Sequence, residues 1–170
     1  LFLALALMAW ICASLVAWQQ TTHKLNELFD TQQMLFAKRL SVMNLDEIRA
    51  TQPKIRTARK MKHGHLDDDA LAFAIFTRDG SMLINDGDNG DDIPYHYRRD
   101  GFDDGQLRDD DDPWRFVWLT TPDGNHRIVV GQEWEYREDM ARDIVVSQLT
   151  PWLVALPLML LLLIALLSRE

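Results

Sequence analysis

LAFAIFTRDGSMLIND, residues Leu71 to Asp86, holds two apolar runs on either side of Arg78, Asp79 and Gly80. A turn signal between short runs rich in Ile, Phe and Leu predicts a β-hairpin. A second pair of runs, Trp114 to Leu119 and Arg127 to Val130, is joined by TPDGN, in which Pro122, Asp123 and Gly124 are turn formers. Two hairpins of one antiparallel sheet are therefore expected. Between them, Asp86 to Asp112 holds eleven aspartates, many beside glycine. With so few apolar residues it is expected to be a long surface loop or lid rather than a regular element.

Outward from the sheet the period changes. Gln19 to Met43 places Leu25, Leu28, Phe29, Leu35, Phe36, Leu40 and Met43 at the recurrence of one helical face. This predicts a long helix whose apolar face packs on the domain or on a second copy of it. Asn44 to Leu66 loses the periodicity, contains Pro53 and gathers Lys54, Arg56, Arg59, Lys60 and Lys62, so it reads as mostly loop. After Gly131, the stretch Gln132 to Leu149 returns to helical spacing at Met140, Ile144, Val145 and Leu149.

The chain ends are the most apolar parts. Residues 1–18, LFLALALMAWICASLVAW, carry no charge; as a helix they reach roughly 27 Å, close to the ~30 Å hydrocarbon core of a bilayer. Trp152 to Leu167, WLVALPLMLLLLIALL, is the counterpart. Two transmembrane helices, 1–18 and 151–168, are thus expected around a soluble domain at 19–150. A cleaved signal peptide would need a small-residue processing site, and no convincing A-x-A pattern follows the first run. An uncleaved anchor is the reading adopted, with Leu1 in place of Met taken as a sign that a basic leader has been trimmed. Trp18 closes the first span and Trp152 opens the second, which assigns both indoles to one membrane interface.

The chain's net charge is -8, and Arg169 and Glu170 cancel, so the surplus lies between the spans. That balance argues against nucleic acid and favours cations, amines or cationic peptides as ligands. Cys12 falls within the first span, so the domain forms no disulfide. No P-loop, G-x-S-x-G or H-E-x-x-H occurs, which suits a receptor better than an enzyme.

Long blocks carry a family resemblance: ELFDTQQMLFAKRLS (27–41), KHGHLDDDALAFAIFTRDG (62–80), NDGDNGDDIPY (85–95), DDPWRFVW (111–118), VVGQEWEYREDMA (129–141) and PWLVALP (151–157). Together they resemble the N-terminal sensor region of QseC-type quorum-sensing sensor histidine kinases of enteric bacteria. The resemblance implies an α+β, PAS-like periplasmic domain with long membrane-proximal helices, anchored in the bacterial inner membrane. It also implies stimuli such as autoinducers and catecholamines, autophosphorylation on histidine, and transfer to a cytoplasmic response regulator. The linker, phosphoacceptor helix and ATP-binding domain of that family are expected beyond Glu170, so ATP and kinase chemistry belong to a longer protein.

Several constellations are candidates for ligand chemistry. On QEWEYREDMARD, Glu135, Glu138 and Asp139 share a helical face, where crowded carboxylates can hold a divalent cation. Their E-x-x-E spacing also resembles iron-sensing motifs of related kinases. The alternative is a solvated acidic face paired with Arg137 or Arg142. His63 and His65, followed by Asp67 to Asp69, form a second candidate metal cluster, against a polar loop that responds to pH. Asp86 and Asp88 fit the first and third positions of an EF-hand, but Gly90, Asp91 and Tyr97 break the pattern, leaving a solvated loop or diffuse binding of divalent cations. Trp114, Trp118 and Trp134, with Phe116, Tyr95 and Tyr136, offer rings for an amine, or else form the sheet core.

The resulting expectation is a membrane-bound homodimeric sensor for a small molecule or cation. The competing readings are the input module of a chemoreceptor or cyclase, and a stand-alone cation-binding membrane protein.

Overall fold

The hairpin residues form strands β1 (Leu71–Thr77) and β2 (Met82–Asn85) in a computed structural model that describes residues 2–50 and 71–167. Their turn closes through Thr77 N–H to Ser81 O at 2.8 Å and Gly80 N–H to Thr77 O at 3.1 Å. Gly80 has φ 94°, and a Cβ there would sit 3.0 Å from the Tyr95 ring, so the position needs glycine on both counts. The second hairpin is β4 (Trp114–Thr120) and β5 (His126–Glu133), with β3 (Gly101–Gly105) before it.

The five strands make one antiparallel sheet in the order β2-β1-β5-β4-β3. The hairpins join through β1 and β5, with Phe73 opposite Val130 and Ile75 opposite Ile128. Both faces of β1 are covered, which explains why LAFAIF is a continuous apolar run rather than an alternating one. Phe73, Ile75, Ile84, Val117, Ile128 and Val130 bury one face with Ala37, Leu40 and Ile48. Ala72, Ala74, Phe76, Trp114, Phe116, Trp118 and Val129 bury the other with Ile93 and Leu107 from the aspartate-rich segment.

That segment is more ordered than its composition predicts. It holds a 3₁₀ turn at Asn89–Asp92 and strand β3, paired to β4 with Phe102 opposite Val117. An edge strand has only one neighbour and draws its pairing from backbone groups, so aspartates do not forbid it; charge on the exposed side also discourages pairing with other chains. Asp86 is buried, and its carboxylate accepts from the backbone N–H groups of Phe73 (3.2 Å), Asp88 (2.9 Å) and Gly90 (2.8 Å). The side chain that suggested a calcium register instead fastens the segment to β1.

Helix α1 (Phe2–Val42) is continuous, as the periodicity predicts. The proposed apolar stripe divides: Phe29 and Leu40 are buried, whereas Leu28 (58% exposed) and Leu35 (53%) face outward. The inward face repeats as Phe29, Gln33, Ala37 and Leu40. Residues 45–50, read as loop, are helical, with Ile48 N–H bonded to Asn44 O at 3.0 Å and Ile48 packed in the core. Helix α2 (Trp134–Leu167) begins after Glu133, so Gln132 and Glu133, expected to be helical, end strand β5.

The chain divides into two compact units. One is Asn26–Arg137, which contains the whole sheet; the other comprises Leu1–Leu25 and Glu138–Glu170. Among the described residues no helix is long and apolar enough to cross a membrane.

Candidate functional site

The inward face of α1 is apolar except for Gln33, whose side chain is 4% exposed. A buried amide must be satisfied, and Gln33 Nε2 donates to the sheet carbonyls of Val130 (2.6 Å) and Arg115 (2.7 Å). Its Oε1 accepts from Arg137 Nη2 at 2.7 Å. Arg137, 1% exposed on the first turn of α2, also donates from Nη1 to Asp30 Oδ1 at 2.7 Å and from Nε to Gln132 Oε1 at 2.8 Å. One guanidinium therefore ties α1, β5 and α2 together.

Arg115 on β4 extends the network. Its Nη2 reaches Asp30 Oδ2 at 3.0 Å and its Nη1 reaches Asp104 Oδ1 on β3 at 3.2 Å. Trp134 donates from Nε1 to the same Asp104 oxygen at 3.1 Å. The indole lies beside both cations, 5.1 Å from Arg137 Cζ and 5.7 Å from Arg115 Cζ, and the Phe29 ring is 5.5 Å from Arg137. Two arginines and two aspartates balance in charge, and flat rings shield the guanidinium faces.

Burial alone would raise the pKa of Asp30, but hydrogen bonds from Arg115 and Arg137 outweigh it and hold the carboxyl below its ordinary value. Burial pushes the Arg137 guanidinium down, with Asp30 opposing that shift. Arg115 is raised: its burial penalty is exceeded by the bonds to Asp30 and Asp104.

The residues singled out from the sequence lie elsewhere or play another part. Trp114 and Trp118 are 1% and 3% exposed and sit in the sheet core. Trp118 meets Phe76, Tyr95 and Tyr97 at centroid distances of 5.9, 5.8 and 6.0 Å, which leaves little ring face for an amine. Trp134 stacks on the network. Glu135, Glu138 and Asp139 are exposed, and Asp139 pairs with Arg142 at 3.3 Å. Arg137 turns away from that face to the interior. Glu135 gathers with Asp112 and Glu133, one oxygen from each lying within 4.8 Å of the others. Three such oxygens suit a hard divalent cation, but two of the three residues are exposed. His63 and His65, and the basic cluster from Lys54 to Lys62, lie outside the described residues. Trp18 and Trp152 are 39% and 66% exposed.

Sequence reasoning missed Asp30, Gln33, Arg115 and Gln132. Gln33 left one signal, a polar residue four after Phe29 and four before Ala37 in the buried repeat.

The sequence matches the family described as two-component sensor kinase N-terminal over residues 6–144. It is 65% identical over 170 residues to the sensor protein QseC of Escherichia coli K12, covering 100% of this chain and 38% of that protein. It is 64% identical over the same length to the sensor protein QseC of Salmonella typhimurium. The chain thus spans 38% of the length of these curated relatives. No solved structure matches.

Proposed function

The chain belongs to the two-component sensor kinase N-terminal family, and on that premise we propose that it is the stimulus-receiving region of a quorum-sensing histidine kinase of the bacterial inner membrane. In this reading residues 1–18 and 151–168 cross the membrane, with Trp18 and Trp152 as interface anchors, and residues 19–150 lie in the periplasm. The sheet order and the packing of α1 on one face support a PAS-like domain. The remaining length of the relatives is where a histidine kinase and its ATP site would lie, passing phosphate to a response regulator. A catecholamine, an autoinducer or a metal ion is the stimulus class. The exposed carboxylates Glu135, Glu138 and Asp139, with iron or another divalent cation as their ligand, remain part of the proposal, as does a homodimer.

The observation that carries this reading is the Arg137 network. Asp30 belongs to the helix that follows the first proposed span, and Arg137 to the helix that leads into the second. A stimulus that alters the sheet unit alters the seats of both helices, and a signal arises when it binds two arrangements unequally.

The test is a chimera: this chain joined to the kinase portion of the E. coli relative, in proteoliposomes with ATP. The reading expects autophosphorylation that changes when Arg137→Gln is introduced. Autophosphorylation identical to that of the kinase portion alone, with and without the substitution, would overturn it.

A further inference from the structure

Asp104 stands at the outer end of the Arg137 network. Its strand, β3, is the last of the sheet and, among the described residues, pairs only with β4. The Asp104 side chain is 58% exposed, against 25% for Asp30, 23% for Arg115 and 0% for Arg137. Of the four charged groups it is the one that solvent reaches most.

Strand β3 is lightly held. Phe102 is its one side chain packed on the helix-side core, and glycines at both ends, Gly101 and Gly105, bring no side chain to pack. Elements with little buried apolar surface shift at the least cost. A shift of β3 carries Asp104 with it, and Asp104 has two partners. One is Arg115 across the ladder, Nη1 to Oδ1 at 3.2 Å; the other is Trp134, Nε1 to the same oxygen at 3.1 Å. Trp134 is the first residue of α2. Its backbone N–H bonds Pro113 O at 3.0 Å, immediately before β4. The backbone thus ties the root of α2 to β4, and the indole ties it to β3.

We propose that β3 is the input edge of the domain: Asp104 passes the position of this strand to Trp134, and Trp134 sets the first turn of α2. The inference rests on the sensor reading above and adds the element at which a stimulus enters. Trp134 is a positioning residue in this scheme, acting through α2 rather than on the stimulus.

Gly105 supplies the test. A Cβ there would sit 3.2 Å from the Phe116 ring, so Gly105→Ala presses β3 and the ring apart without altering Asp104 or Trp134. In the chimera described above, Gly105→Ala should change autophosphorylation by about fivefold, the size of one net hydrogen bond, and Asp104→Leu by as much. Neither should change it further in a Trp134→Phe background, which keeps a ring beside the arginines but has no N–H to donate. Asp104→Asn, which keeps an acceptor oxygen, should stay within about twofold of the parent. Output unmoved by both Gly105→Ala and Asp104→Leu, or moved equally with and without Trp134→Phe, would overturn the inference. So would output that merely follows the urea midpoints of the same variants. A change produced by Arg137→Gln alone in that experiment leaves the sensor reading standing, so the two failures are distinguishable.

Discussion

Arg137 Nη1 lies 2.7 Å from Asp30 Oδ1, and the Arg137 side chain is fully enclosed while a quarter of the Asp30 side chain remains exposed. The pair is therefore asymmetric. Removing the arginine leaves a carboxylate that water can partly reach, whereas removing the aspartate leaves a sealed cation with only amide partners at Gln33 and Gln132.

The two single substitutions should differ accordingly. Arg137→Ala is expected to cost roughly 3 kcal/mol, the low end for breaking a buried pair, and Asp30→Ala more than that. Urea unfolding of each variant and of the double variant measures the coupling between them. Additive losses would mean that the ion pair contributes nothing specific.

Acid should weaken the same pair. Asp30 has a lower pKa folded than unfolded, so its contribution is fully present above the ordinary value of 3.8. It is lost as pH falls from there through the folded value. Stability measured from pH 6 downward should fall less steeply in Asp30→Asn than in the parent chain. An unchanged slope would remove Asp30 from the acid response.

The anchoring of the aspartate-rich segment offers a third prediction. A Cβ at Gly90 would collide with Phe73 O and lie 2.5 Å from Asp86 Oδ1, and the Phe73 carbonyl is backbone, which cannot swing aside. Gly90→Ala should therefore destabilise more than Asp86→Ala, for which about 1–3 kcal/mol is expected from unsatisfied backbone N–H groups. Thermal unfolding of the two variants ranks them.

Leu28, Leu35 and Val42 lie seven residues apart on α1, and all three are exposed, the spacing of a seam between paired helices. If the chain dimerises through α1 in membranes, single cysteines at these positions should cross-link, while cysteines at Phe29 and Ala37, buried against the sheet, should not. Uniform cross-linking along the helix would exclude this seam.

The carboxylates Glu135, Glu138 and Asp139 should be nearly neutral for folding, since the Asp139–Arg142 pair is exposed and such pairs contribute about 0–1 kcal/mol. Amide substitution at all three should leave the urea midpoint almost unchanged. A lost stimulus response in that variant would then report on signalling rather than on unfolding.

The hairpins were legible because both halves of their signal are local: apolar runs and the turn formers Asp79-Gly80 and Pro122-Asp123-Gly124. The length of α1 was legible for the same reason. Strand β3 was not, because Gly101–Gly105 buries little and pairs through its backbone. The helical turn at 45–50 was hidden by having only Leu45 and Ile48 to mark it. At the end of β5, Gln132 and Glu133 resemble a polar helix start; Gln132 is instead 5% exposed because its side chain receives Arg137. The charge network was the least legible part of the site. A carboxylate on a helix usually points to water, and only the fold shows that Asp30 meets two arginines from β4 and α2.

The residues bonded by Arg137 Nη1 are 107 positions apart, and the Gln33 bonds to Arg115 and Val130 span 82 and 97. Closing contacts of such separation is entropically costly and slow. A nascent chain exposes Asp30 and Gln33 long before Arg137 leaves the ribosome, so the network cannot close until the whole sheet has been synthesised. Interactions made after the folding barrier do not set the folding rate; they hold back unfolding. If the tie between α1 and α2 closes after that barrier, it acts as a kinetic clasp: its loss shortens the lifetime of the native state and leaves the speed of folding nearly intact.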